Sequence, residues 1–176
     1  GNVIIPDGVT CIGDTAFILC STITSVTMPN GVVKIGDRAF YGCDSLTSVL
    51  IGNNVTSIGN NAFDTCKKLT SLTIPDSVTS IGDYAFGACG LTTFTVPESV
   101  TVIDNGVFSR CSNLTAINIH DGVNKIGGMA FAECSSLTTI TIPDGVTELR
   151  ESLFADCISL ATVTLPENLT SIKYTA

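Results

Sequence analysis

The chain has no tryptophan, a single histidine, and only 8 Lys+Arg in 176 residues. Each shortage excludes something. Interfaces usually anchor on Trp, Tyr and Arg, and here aromatics reach only 6 %. With one histidine, any Ser/His/Asp or Cys/His catalytic set has to use His120. Few cations against 16 Asp+Glu give a net charge of -8, and no Lys/Arg run offsets it locally. Adhesion to DNA, RNA or anionic lipid is therefore disfavoured. Long apolar runs are missing too: Thr, Ser, Gly and Asp interrupt every stretch before the ~18 apolar residues a membrane-spanning helix needs. Gly1-Asn2-Val3-Ile4-Ile5 has neither the basic start nor the apolar stretch of a signal peptide. A start on Gly rather than Met leads us to expect a piece of a longer protein, whose targeting this segment does not report.

What is present is order. Apolar residues make up 44 % and charged residues 14 %, a balance that favours a packed core over disorder. Stepping by 23 from Pro6 gives Pro29, Gly52 and Pro75; one step of 22 reaches Pro97, and steps of 23 reach His120, Pro143 and Pro166. The short step has a visible cause, because Cys89-Gly90-Leu91 carries one residue between Cys and Leu where other copies carry two. In the same register fall Phe17, Phe40, Phe63, Phe86, Phe108, Phe131 and Phe154, and also Cys20, Cys43, Cys66, Cys89, Cys111, Cys134 and Cys157. Only Phe94 and Cys11 lie outside these columns. An aliphatic column from Val9 to Leu169 and another from Ile12 to Ile172 complete the pattern. We read residues 1–176 as one domain of about seven copies of a 23-residue unit.

Within a copy, Val49 and Ile51 alternate with polar or variable positions, the period of a half-buried strand rich in β-branched residues. Proline then lacks the amide a ladder needs, and Pro-Asp-Gly or Pro-Asn-Gly supplies turn chemistry. Val78 to Gly82 reads as a short extended segment with Val78 and Ile81 inward. Asp or Asn at Asp14, Asp37, Asn60, Asp83 and Asn105 predicts an N-cap for a single helical turn carrying Ala, Phe and Cys inward. One copy cannot bury its apolar face alone. Stacked copies would join these faces into one core, at about 4.8 Å per strand and on the order of 35 Å in all.

The unit Leu-x-x-Val-x-Ile-Pro-x-x-Val-x-x-Ile-Gly-x-x-Ala-Phe-x-x-Cys resembles the BspA-like (Treponema-pallidum-type) leucine-rich repeat, and Leu69–Cys89 matches it column by column. The resemblance covers essentially the whole chain. It implies an α/β repeat solenoid: a right-handed leucine-rich-repeat superhelix with a parallel sheet on the concave face and extended segments plus single helical turns opposite. It also implies a secreted or surface-anchored, adhesin-like protein that binds host or extracellular-matrix proteins. Departures are local: Gly52 and His120 replace Pro, Asp104 and Arg150 replace Gly, and Val107 and Leu153 replace Ala, so irregular coils are expected near 103–108 and 149–154.

No residue set argues for catalysis, and we expect neither an enzyme nor a cofactor. Seven cysteines run one per coil, so four of them do not converge as zinc ligands, and a line of identical thiols defines no unique disulfide partner. They read as small buried apolar groups, whereas Cys11 is expected on the surface, open to intermolecular oxidation. His120 reads as a turn residue. The column Asp7, Asn30, Asn53, Asp76, Glu98, Asp121, Asp144 and Glu167 supplies one group per coil, which suits turns better than calcium. Asn54-Val55-Thr56, Asn113-Leu114-Thr115 and Asn168-Leu169-Thr170 match the glycosylation pattern.

The candidate partner-binding face consists of the outward strand positions Ser25, Thr27, Ser48, Leu50, Ser71, Thr73, Thr93, Thr95, Ala116, Asn118, Thr139, Thr141, Thr162 and Thr164. It is Thr/Ser-rich and uncharged, so loop charges such as Lys67-Lys68 and Arg110 are alternative contact sites. The competing expectation is a structural spacer or self-assembling segment. The repeat stops at Ser171-Ile172-Lys173-Tyr174 without a polar cap, so end-to-end self-association is also expected.

Overall fold

The computed structural model describes residues 1–173. Tyr174, with which the expected uncapped end closes, lies outside the described residues. The chain winds as a stack of coils, each contributing one three-residue and one two-residue strand position. The three-residue strands are β1 (Asn2–Ile4), β3 (Ser25–Thr27), β5 (Ser48–Leu50), β8 (Thr93–Thr95), β10 (Ala116–Asn118), β12 (Thr139–Thr141) and β14 (Thr162–Thr164). The two-residue strands are β2 (Cys11–Ile12), β4 (Lys34–Ile35), β6 (Ser57–Ile58), β7 (Ser80–Ile81), β9 (Val102–Ile103), β11 (Lys125–Ile126), β13 (Glu148–Leu149) and β15 (Ser171–Ile172). Every pairing is parallel and joins equivalent columns, for example Val26↔Val49 and Ile35↔Ile58. The fold is a parallel β-solenoid.

The core is the set of columns read from the sequence. Phe40, Phe63 and Phe86 have no exposed surface, nor do Val32, Val55 and Val78. Successive Phe rings stack along the interior, with centroids 5.1 Å apart for Phe17–Phe40 and 5.8 Å for Phe108–Phe131. Offset stacking of this kind adds about 0.5–1.5 kcal/mol per pair beyond the area buried. At the turns, Val32 N donates to Pro29 O and Val78 N to Pro75 O, so the proline carbonyl closes each Pro-x-x-Val turn.

The expected helical turn does not form: among the described residues there is no helix. The Ala-Phe segment instead alternates two kinds of bond. Ala62, Asp64 and Cys66 donate to carbonyls three residues back, whereas Asn61, Phe63 and Thr65 donate to Asp83, Ala85 and Gly87 of the next coil. A helix sends every amide along its own axis, so it cannot share half of them with a neighbour. Two left-handed residues per coil make the alternation possible, for example Asn61 (φ 54) with Thr65 (φ 63), and Tyr84 (φ 55) with Ala88 (φ 48). Such conformations cost about 1–2 kcal/mol for non-glycine residues, so the bonds between coils have to offset them.

The Asp/Asn column is likewise not a set of N-caps. Asp14 Oδ1 accepts from Asp37 N, Asp37 Oδ1 from Asn60 N, and Asn60 Oδ1 from Asp83 N, each at 2.8 Å. The side chain that would have capped its own turn pairs with the same column one coil on.

Glycine precedes this column because the coils come too close for a Cβ. One added at Gly59 would lie 2.6 Å from Asp37 N and 2.7 Å from Gly36 C. Where Asp104 and Arg150 take the glycine position, the two-residue ladder stops: β2-β4-β6-β7 forms one sheet, β9-β11 a second and β13-β15 a third. The amide bonds made at Gly59, Gly82 and Gly127 to the preceding coil have no counterpart at 104 or 150. The expected irregularity is thus found in the strands. The turns do not share it, since Gly106 (φ 62) and Ser152 (φ 55) keep the left-handed position.

This close approach generates a paired prediction. Gly59→Ala is expected to destabilise the chain by about 1–3 kcal/mol in urea unfolding, the usual cost of overpacking. Asp104→Gly is expected to let β7 and β9 pair, and amide hydrogen exchange at position 104 should slow.

Candidate binding face

All fourteen outward strand residues lie on one face of the stack. Thirteen are exposed and Ser25 is half-buried. Register places Thr27 beside Leu50, Thr95 beside Asn118 and Thr141 beside Thr164. No charged residue interrupts these columns, and the largest apolar group among them is Leu50, 62 % exposed. The face is built by strand alternation alone: Val26, Phe94 and Ile140 point inward between outward neighbours.

The sheet beneath the face is not continuous. β1-β3-β5, β8-β10 and β12-β14 are separate sheets, and the segment 71–73 between β5 and β8 forms no strand. The position opposite Ile117, aliphatic in other coils, holds Phe94, which lies across Phe86 and Phe108 at 5.4 and 4.8 Å with tilted planes. The shortened Cys89-Gly90-Leu91 link enters the same coil. A bulkier inward ring and one residue fewer to reach it set β8 off from segment 71–73. Two clefts open on either side of that segment, one of about 410 Å³ toward Thr93–Glu98 and one of about 290 Å³ toward Thr47–Asn53. Only the odd phenylalanine and the one-residue deletion signal this feature in the sequence.

The cysteines do more than fill space. Cys66 Sγ donates to Phe40 O at 3.3 Å, Cys89 Sγ to Phe63 O at 3.0 Å and Cys111 Sγ to Phe86 O at 3.1 Å, so each thiol ties its coil to the preceding one. All eight are free thiols, and Cys11 is exposed. Burial pushes the Cys43 and Cys111 thiols up to about 12 and also raises those of Cys89, Cys134 and Cys157. A buried protonated thiol is a poor nucleophile.

His120 is held in its turn. Its Nε2 lies 3.0 Å from Val100 O, its Nδ1 accepts from Gly122 N at 3.1 Å, and Glu98 Oε2 stands 3.2 Å from Nδ1. These partners are two main-chain groups and one carboxylate. In the column after proline, Asn30 Oδ1 accepts from Asn53 N, and among the described residues no three His, Cys, Asp or Glu side chains converge as metal ligands.

One buried carboxylate escaped the sequence reading. Asp64 is 4 % exposed; Asn61 Nδ2 donates to its Oδ2 at 3.2 Å, and Arg110 Nη2 approaches Oδ1 at 3.6 Å from two coils away. The reach is possible because Gly87 lies between them, where an added Cβ would stand 2.9 Å from Asp64 Oδ1. Arg110 is therefore engaged by Asp64, and Lys67 lies 3.6 Å from Asp44, which weakens both as free contact residues. Burial raises the Asp64 carboxyl, while the Asn61 bond and the Arg110 charge oppose the rise.

Comparison with known proteins agrees with this architecture. The profile described as "BspA type Leucine rich repeat region" matches in six copies over residues 1–115 and 105–176. The chain belongs to the BspA-type leucine-rich-repeat family. It is similar to a leucine-rich repeat protein from Bacteroides ovatus, with 31% identity, a TM-score of 0.94, and coverage of 98% of this chain and 48% of that one. It is also similar to a leucine-rich cell surface protein from Faecalibacterium prausnitzii, with 30% identity, a TM-score of 0.69, and coverage of 97% and 65%. A third similar structure is the T. pallidum leucine-rich repeat protein, with 29% identity, a TM-score of 0.68, and coverage of 97% and 72%. The chain thus spans about half the length of the Bacteroides ovatus protein. Among curated proteins nothing matches.

Two outcomes follow from the titrating groups. A folded-state thiol pKa above the ordinary 9.0 means stability is fully present below pH 9 and is lost as pH climbs toward about 12. Urea midpoints measured from neutral to alkaline pH should fall over that window. Because ionised Asp64 costs stability at neutral pH, Asp64→Asn should raise the midpoint at neutral pH. The gain should shrink in acid, where the wild-type carboxyl protonates; a lower midpoint would mean the Arg110 pair outweighs the burial cost.

Proposed function

We propose that this chain is a non-enzymatic protein-interaction module of a secreted or surface-anchored, adhesin-like protein, and that it takes host or extracellular-matrix proteins on its three-residue-strand face. The observation that carries this reading is the face itself: thirteen exposed, uncharged side chains on one side of the stack, with no group of metal-ligating side chains competing among the described residues. Extended solenoid faces suit large, flat partners better than small substrates. Likeness to a Faecalibacterium prausnitzii leucine-rich cell surface protein supports a surface setting. The scarcity of Trp and Arg implies that affinity comes from many small hydroxyl contacts and main-chain groups, with few dominant anchors.

The test is capture on an immobilised panel of extracellular-matrix proteins. Thr27→Lys, Thr95→Lys and Thr164→Lys, made together, should lower capture by about tenfold or more, since unmatched charge at an interface is costly. Asn113→Lys, in the exposed segment after Cys111, should leave capture unchanged. A spacer would bind none of the panel, or would bind it regardless of the threonine changes.

A further inference from the structure

We propose that the Asn30–Gly31 turn is a self-modification site, where the Asn30 side-chain amide is lost through a succinimide and replaced by an acid. The reaction needs no partner but water. Gly31 N attacks Asn30 Cγ and forms a new N–C bond. The Cγ–Nδ2 bond breaks, and ammonia leaves with the proton that Gly31 N gives up. Water then opens the ring. Opening at Cγ yields aspartate, whereas opening at the main-chain carbonyl yields isoaspartate, with the chain rerouted through Cβ and Cγ.

The chain holds two Asn-Gly pairs, Asn30–Gly31 and Asn105–Gly106, and the structure treats them oppositely. Gly106 N donates to Gly128 O at 3.0 Å, so the attacking nitrogen of the second pair is committed to the turn ladder. Its leaving group is held as well, since Asn105 Nδ2 donates to Asp83 Oδ1 at 3.2 Å. Gly106 is also buried, with the Tyr84 ring lying where a Cβ would stand. Asn30 and Gly31 are both exposed, and among the described residues Gly31 N donates to no other group. The electrophile is nonetheless prepared. Asn53 N donates to Asn30 Oδ1 at 2.8 Å, which polarises the carbonyl and places a donor where the oxyanion of the tetrahedral intermediate would form.

The turn accepts one product and not the other. Aspartate keeps the acceptor for Asn53 N, as Asp37 Oδ1 serves Asn60 N at 2.8 Å in another column. The column of Asn30 already holds aspartate at Asp7, Asp76, Asp121 and Asp144. Isoaspartate adds a methylene to the main chain inside the turn that Val32 N closes on Pro29 O. Val32 has no exposed surface, so the added length displaces a core side chain.

The test incubates the full chain at mildly alkaline pH, folded and in guanidinium chloride, and counts acid at positions 30 and 105 by peptide mass spectrometry. Unfolded, both pairs should convert. Folding should slow Asn105 by at least about tenfold, because a ladder amide reacts only when it opens, and should slow Asn30 by less than that. Gly31→Ser should still fold, since Ser77 occupies the same position and its Oγ donates to Val55 O at 2.7 Å. It should convert about tenfold more slowly at Asn30, because only glycine leaves the attacking nitrogen uncrowded. The isoaspartyl fraction should unfold at lower urea than the aspartyl fraction, and Asn30→Asp should match the aspartyl one. Slowing of Asn30 by tenfold or more on folding, or equal conversion in Gly31→Ser, would overturn the site. An isoaspartyl fraction as stable as the aspartyl one would overturn the selection between products.

Discussion

The stack depends on one interaction, the main-chain ladder through the Ala-Phe segments. At each junction from the first coil to the last, three amides donate to the next coil, from Thr15→Asp37, Phe17→Ala39 and Leu19→Tyr41 to Met129→Glu151, Phe131→Leu153 and Glu133→Ala155. Both strand ladders break; this one does not. At about 0.5–1.5 kcal/mol net per bond it outweighs two left-handed residues per coil only with the help of what it brings together. That help is specific: the coil separation it fixes lets Phe rings stack, lets Cys thiols reach the Phe carbonyls, and lets Asp/Asn side chains reach the next coil's amide. Glycine before the Asp/Asn column is the steric condition for the same closeness.

With the turns holding the coils, the strands are free to be imperfect. Asp104 and Arg150 interrupt one ladder, and the other is interrupted at the Phe94 coil and again between β10 and β12, yet the Phe stack runs through with ring spacings of 5.9 and 6.0 Å around Phe86. Burial raises the Asp104 carboxyl, and the nearby Asp83 carboxylate adds to it, so the residue that breaks the glycine column is itself costly where it sits. A fold held only by its sheets would not tolerate these changes in neighbouring coils. Here their effect is local: an opened strand face above an unchanged turn face.

The sequence made the columns legible because a repeat presents the same residue to the same environment in each coil. Phe40, Cys66, Val78 and Leu114 are as buried as their spacing implies, and the outward threonines share one exposed face. What it concealed were relations between coils. Asp37 reads as an N-cap because the pattern Asp before Ala-Phe is the same whether its oxygen turns to its own segment or to Asn60 N. Cys66 reads as a filler because the carbonyl it serves lies 26 residues away. Asp64 and Arg110 belong to different columns two coils apart, so no single-copy alignment pairs them. The binding role of the face is a proposal in sequence and structure alike; geometry supplies only the surface on which it would act.

Regularity and recognition fall to different residues for a physical reason. A column repeated in each coil can stabilise the stack, but it makes every coil alike and so marks no position along it. Singular features do mark positions: the one deletion at Gly90, the one strand phenylalanine at Phe94, the one buried carboxylate at Asp64 and the glycine at Gly87 that admits its arginine. All lie within neighbouring coils. A partner that must dock in one register on a stack of near-identical coils needs such a place. The strand face is interrupted twice, before β8 and between β10 and β12, and the continuous turn ladder makes both interruptions tolerable.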